Sequence, residues 1–93
     1  DNTIIVYTSD HGEMAGEHGL FWKNTWHEAS ARVPFIVSTP AQRSGTQDAV
    51  EITTPVSLAD LFPTFCGLGA AAPPSQLDGL DLSDVVNGTE NNT

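Results

Sequence analysis

Apolar, β-branched residues open the chain almost at once, and Thr3-Ile4-Ile5-Val6-Tyr7 shows no polar alternation. That pattern predicts a strand covered on both faces, as in a parallel α/β sheet. The run stops abruptly in Thr8-Ser9-Asp10-His11-Gly12-Glu13, where polar side chains crowd together. Ligands of open α/β sheets gather where strand carboxyl ends pass into loops, so chemistry is expected here. Glu13 to Thr25 lacks helical periodicity, carries Gly16 and Gly19, and reads as a structured loop. Trp26 to Ala31 has room for one or two helical turns. Val33-Pro34-Phe35-Ile36-Val37-Ser38 is a second strand, with Pro34 near its start where a missing N–H is tolerated.

Pro40 to Asp48 is polar and reads as a surface loop, and Val50 to Pro55 as a short strand. Ser57-Leu58-Ala59-Asp60 fits a capping box. Leu58, Leu61, Phe62 and Phe65 then share one helical face. Pro63 should kink or divide that helix, and Gly67 or Gly69 should end it. Ala70 to Gln76 is a linker, and Leu77 to Val86 a short amphipathic piece with one helical turn. Residues 1–86 thus form one globular portion, and 87–93 a polar, disordered tail. The tail's sequons, Asn87-Gly88-Thr89 and Asn91-Asn92-Thr93, are ascribed to chance in a polar stretch.

With 93 residues the chain is one small domain at most, and its first residue is Asp1 rather than Met. An apolar strand with so little lead-in suggests a piece of a longer protein. Cys66 is the single cysteine, so no internal disulfide forms, and its apolar neighbours suggest a buried, inert thiol. The net charge of −9 removes the basic patch that nucleic acid or an anionic membrane would need. So acidic a chain resembles salt-adapted proteins; an ordinary acidic domain is the alternative. No stretch is long and apolar enough for a membrane span, and the compartment is open.

Asp10 and His11 stand side by side just past the strand and could both reach one ion if the turn is sharp, which Gly12 permits. Carboxylate suits Ca²⁺ or Mg²⁺, and imidazole suits transition metals. Two ligands hold none of these firmly, so the alternative is an Asp-His pair hydrogen-bonded within a turn. Lys23, the only lysine, lies among Phe21, Trp22 and Trp26. It could be a snorkelling surface residue, a cation–π partner, or a point charge aimed at a sulfate or phosphate oxygen.

In order along the chain, Ser9-Asp10-His11-Gly12, Gly16-Glu17-His18-Gly19 and Lys23 resemble the sulfatase pattern S-D-H-G…G-E-[HR]-G…K. His after the Asp, with Lys twelve residues beyond it, is most similar to choline and iduronate sulfatases. Glu28-Ala29-Ser30-Ala31-Arg32-Val33-Pro34, Val56 to Thr64 and Leu77 to Leu82 resemble the family's later segments. The resemblance implies a C-terminal portion of an alkaline-phosphatase-like α/β fold with a mainly parallel sheet. This chain would contribute two or three strands and one to three helices.

It further implies that Asp10 is a metal ligand, usually to Ca²⁺, and that His11 coordinates the metal or lies against the sulfate. Lys23 would contact a sulfate oxygen and stabilise charge developing as the S–O bond breaks. His18, Trp26, His27 and Glu28 either line the substrate pocket or only pack the loop, and Arg32 orients the loop through a carboxylate. The family's nucleophile, a formylglycine made within C/S-x-P-x-R, has no counterpart: Cys66 is followed by Gly67-Leu68-Gly69. The chain alone is therefore expected to be inactive and to bind Ca²⁺ weakly or not at all. A sulfate ester is the expected substrate of the parent enzyme. The alternatives are a related phosphonate monoester or phosphodiester hydrolase, or a non-catalytic excised α/β domain that forms a homodimer through an exposed sheet edge.

Overall fold

The computed structural model describes residues 1–89. The chain divides into two compact units, Thr3–Ser38 and the stretch from Thr39 onward together with Asp1–Asn2. The first holds strands β1 (Ile5–Thr8) and β2 (Phe35–Ser38) and the single-turn helix α1 (Glu28–Ala31). The second holds helices α2 (Pro40–Ser44), α3 (Leu61–Leu68) and α4 (Ser83–Val86). Among the described residues no helix is long and apolar enough to cross a membrane.

The two expected strands form, and they pair with each other antiparallel, Ile5 opposite Ser38 and Thr8 opposite Phe35. The run expected to be covered on both faces is not covered so within this chain. Val6 and Thr8 are half-buried, whereas Ile5, Tyr7 and Ile36 are exposed. Side chains alternate across a strand, so a two-stranded ribbon in a small unit shelters one face only. Pairing Thr8 with Phe35 also closes the base of the long excursion between the strands, which carries every candidate site residue.

In the second unit, the expected surface loop over Pro40 to Asp48 starts instead with α2. The local chemistry explains it. Thr39 caps the helix, its hydroxyl accepting from the Gln42 N–H at 3.2 Å, while Gln42 Oε1 accepts from the Thr39 N–H at 3.0 Å. Pro40 occupies the first helical position, where its missing N–H costs nothing, and Gly45 closes the helix in the left-handed region. Replacing Thr39 by Ala should cost about 1 kcal/mol, read from the urea midpoint of the full-length protein. No strand forms over Val50 to Pro55.

The Ser57–Asp60 capping box is present, but it caps a 3-10 turn over Leu58–Asp60, and α3 begins only at Leu61. Pro63 falls in the first turn of α3, where no helical N–H is needed, so the division it demands lies just ahead of it. Gly69 ends the helix. The face of Leu58, Phe62 and Phe65 is exposed; the buried side chains of α3 are Pro63 and Thr64. Cys66, expected to be buried, is half-exposed because it lies off that packed face.

Gln47 Nε2 donates to the Val86 carbonyl at 2.9 Å, tying the residues after α2 to α4. Asn87–Thr89 wrap the end of α4, with the Thr89 N–H bonded to the Asp84 carbonyl at 2.9 Å. The rest of the expected disordered tail, 90–93, lies outside the described residues.

Candidate functional site

The segment between the strands is a set of nested cross-links. Inside the Thr8–Phe35 pair, the Gly12 N–H donates to the Ser30 carbonyl at 2.7 Å. Further in, the Met14 N–H donates to the Trp22 carbonyl at 2.7 Å and the Gly16 N–H to the Leu20 carbonyl at 2.8 Å. Met14 is fully buried beneath these rungs, its sulfur accepting from the Thr25 hydroxyl at 3.2 Å. A loop whose other large apolar side chains, Leu20, Phe21, Trp22 and Trp26, are exposed is thus built around one buried methionine and a ladder of backbone hydrogen bonds.

The tip of this ladder is bent hard. Ala15, Gly16, His18, Gly19, Trp22 and Asn24 all have positive φ. Non-glycine residues in that region cost about 1–2 kcal/mol each, and such strain clusters at functional sites. Gly12 is different. It is not a positive-φ glycine; a methyl there would overlap the Ala29 carbonyl oxygen. The close approach of the Asp10-His11 loop to α1, rather than a sharp turn, requires glycine at this position.

Asp10 and His11 lie between the first and second rungs. The Ser9 hydroxyl donates to the His11 carbonyl at 2.8 Å, and the His11 N–H donates to Asp10 Oδ1 at 2.9 Å. His11 Nδ1 is 2.7 Å from the Gly12 carbonyl oxygen. A carbonyl has no proton to give, so Nδ1 carries a proton, and Nε2 is the ring nitrogen turned toward Asp10. That atom lies 3.6 Å from Asp10 Oδ2. With metal–donor bonds of about 2.0–2.4 Å, neighbouring ligands sit roughly 3–3.5 Å apart, so at 3.6 Å the pair is slightly wider than one edge of a coordination shell. Among the described residues, no third His, Cys, Asp or Glu completes a metal-holding group.

The Asp10 carboxyl is held below the usual carboxylate range. Partial desolvation opposes its ionisation, but His11, N–H donation from His11 and from Asp10 itself, and the charge of Lys23 outweigh it. Lys23 comes directly after the Met14–Trp22 rung, on the returning side of the ladder, and is exposed. The structure thereby brings Asp10, His11 and Lys23 into one nested loop.

The other expected residues divide. His18 and His27 stack ring on ring, centroids 3.9 Å apart and nearly parallel; nothing in the spacing of the two signals this pairing. Trp26 stands fully in solvent. Glu28 faces Arg32 one turn on at 3.6 Å, both exposed, so the arginine, which caps α1, has its carboxylate partner at the start of that helix. Sequence reasoning passed over Glu13, whose Oε1 accepts from the Trp22 N–H at 2.9 Å.

A family model described as Sulfatase matches residues 1–71. The chain is 41% identical over 81 residues to dog (Canis lupus familiaris) Arylsulfatase K, with 87% of this chain covered. It is 38% identical to human Arylsulfatase K, with 97% of this chain covered. An arylsulfatase of Clostridium perfringens is 34% identical, with 92% covered. The chain spans 14%, 16% and 18% of the lengths of these three relatives, respectively. A solved structure in complex with its substrate, D-glucosamine-2-N,6-O-disulfate, superposes with a TM-score of 0.66 at 38% identity, covering 91% of this chain and 17% of that one.

Proposed function

The chain belongs to the sulfatase family, and from that premise we propose that it is part of the catalytic domain of a metal-dependent sulfuric ester hydrolase, carrying two metal ligands and one sulfate-binding lysine. Its fold is a portion of the alkaline-phosphatase-like α/β architecture. One observation carries the reading of the site: Asp10 Oδ2 and His11 Nε2 lie 3.6 Å apart, with the other His11 nitrogen committed to the Gly12 carbonyl.

The donor set fits a cation. The Asp10 carboxylate suits Ca²⁺, whose donors are oxygens, and His11 either joins it as a ligand, a place imidazole takes more readily on transition metals, or lies against the sulfate. The bound ion would supply positive charge to the oxygens of a sulfate group. This chain's own contribution is orientation. The Gly12 carbonyl fixes the His11 tautomer, the Ser9 hydroxyl holds the turn, and the nested rungs return Lys23 to the Asp10 side of the loop. Lys23 meets a sulfate oxygen as a point charge and stabilises the negative charge that grows as the S–O bond opens. The remaining ligands and the nucleophile come from elsewhere in the full-length protein, so the chain alone does not turn over.

The substrate is a sulfate ester, and the structural neighbour's disulfated glucosamine supports a sugar sulfate. Exposed Phe21, Trp22 and Trp26 around Lys23 offer faces on which a sugar ring can rest. The spacing of His11 and Lys23 further supports a choline- or iduronate-sulfatase type of site. Calcium titration of the full-length protein tests the reading. Asp10→Ala should weaken Ca²⁺ binding by roughly tenfold or more, and unchanged affinity would remove Asp10 from the metal.

A further inference from the structure

Trp22 is held on both sides by the residues that immediately follow the metal pair. Its N–H donates to Glu13 Oε1 at 2.9 Å, and its carbonyl accepts from the Met14 N–H at 2.7 Å. Its backbone is left-handed, φ 68°, a conformation that a bulky residue does not keep without help. The next residue is Lys23. Two hydrogen bonds therefore join the His11 side of the loop to the backbone of Lys23: Glu13 Oε1 to the Trp22 N–H, and the Met14 N–H to the Trp22 carbonyl, which belongs to the peptide that carries Lys23. Every other path runs through the strained tip or around by α1.

We propose that Glu13 is a positioning residue for Lys23: its carboxylate oxygen, by accepting the Trp22 N–H, holds the strained backbone that aims the lysine at the sulfate that a cation on Asp10 and His11 would hold. This rests on the reading of Lys23 given above. Glu13 is exposed and contributes an acceptor rather than burial. The Met14 rung by itself fixes only the Trp22 carbonyl, which leaves the peptide plane between Phe21 and Trp22 free to turn. Glu13 removes that freedom. Misplacement of a charged group by as little as about 1 Å is enough to lower a rate strongly, so a surface hydrogen bond can act on turnover out of proportion to its effect on stability.

The experiment is a mutant cycle on the full-length protein with an activated aryl sulfate as probe, melting temperature followed in parallel. Glu13→Ala should lower kcat about tenfold with little change in KM. Glu13→Gln keeps an acceptor oxygen at the same reach and should stay within about twofold of the parent, whereas Glu13→Asp, one methylene short, should behave like Ala. In a Lys23→Ala background, Glu13→Ala should cause no further loss, because the residue it positions is gone. Equal loss in both backgrounds, unchanged kcat in Glu13→Ala, or failure of Gln to substitute would each overturn the proposal while leaving Lys23 its role. A Lys23→Ala protein as fast as the parent would instead defeat the underlying reading of the site, and the positioning role with it.

Discussion

Lys23→Ala in the full-length protein is expected to lower kcat on a sulfate ester by about 10²–10³-fold, with calcium affinity unchanged. The size follows from removing a preorganised donor aimed at charge that develops only in the transition state, typically worth about 3–4 kcal/mol. The unchanged calcium affinity follows from position. Lys23 acts on Asp10 through its charge, and it lowers the Asp10 carboxyl without touching it in any hydrogen bond or ion pair. Removing that charge leaves the 3.6 Å donor edge and the His11 tautomer intact. Lys23→Arg should recover only part of the rate, because a planar fork does not occupy the place of a compact ammonium. Initial rates and calcium titration on the same preparations separate the two effects. A loss of rate matched by an equal loss of calcium binding would show that Lys23 serves the loop's structure and not the sulfate.

The polar loop that follows β1 was legible in the sequence because a strand that ends in a crowd of polar residues is a local signal. Asp10 and His11 do meet, and Lys23 does return toward them. The reasons were less legible. Gly12 reads as a turn glycine when only its neighbours are visible, yet the need for it comes from Ala29, which approaches from α1. Glu13 reads as one more surface acid until the ladder brings Trp22 to it. Both are contacts between segments distant along the chain, and periodicity carries no information about them. The His18–His27 stack is invisible for the same reason.

Elements followed the same division. Strands β1 and β2 were evident from β-branched runs, but their mutual antiparallel pairing and one-sided cover were not, because an apolar run does not say which partner lies beside it. Helix α2 was missed although Thr39-Pro40-Ala41-Gln42 holds a capping box with proline in first position; polarity of the segment weighed more than its start signal. Of the expected helical face Leu58, Leu61, Phe62 and Phe65, the last three lie on α3 and Leu58 in the 3-10 turn before it, and Leu58, Phe62 and Phe65 are exposed. In α3 the packed side carries Thr64, whose hydroxyl has partners that an aliphatic side chain would lack.

Those partners define the largest expected loss of stability, at Asp60. Asp60 Oδ2 accepts from the Ser57 N–H at 2.8 Å and Oδ1 from the Leu80 N–H at 2.8 Å. Four residues on, Thr64 Oγ1 accepts from the Leu82 N–H at 2.9 Å and donates to the Leu80 carbonyl at 3.4 Å. Two side chains one helical turn apart therefore hold the whole 80–82 segment against the start of α3, and Gly79 lets it approach so closely that a methyl would overlap the Ala59 backbone. Asp60→Ala strands two part-buried donors that had a charged acceptor, and should cost about 2–4 kcal/mol. Asp60→Asn should recover less than half of this, because one of its two terminal atoms is a donor facing another donor. Asp78→Ala, in the same loop but exposed, should change stability by less than about 0.5 kcal/mol. Urea unfolding of the three variants in the full-length protein reads the difference. Equal midpoints for Asp60→Ala and Asp78→Ala would mean that the segment is held by its apolar contacts, and that the carboxylate only decorates a join made by other means.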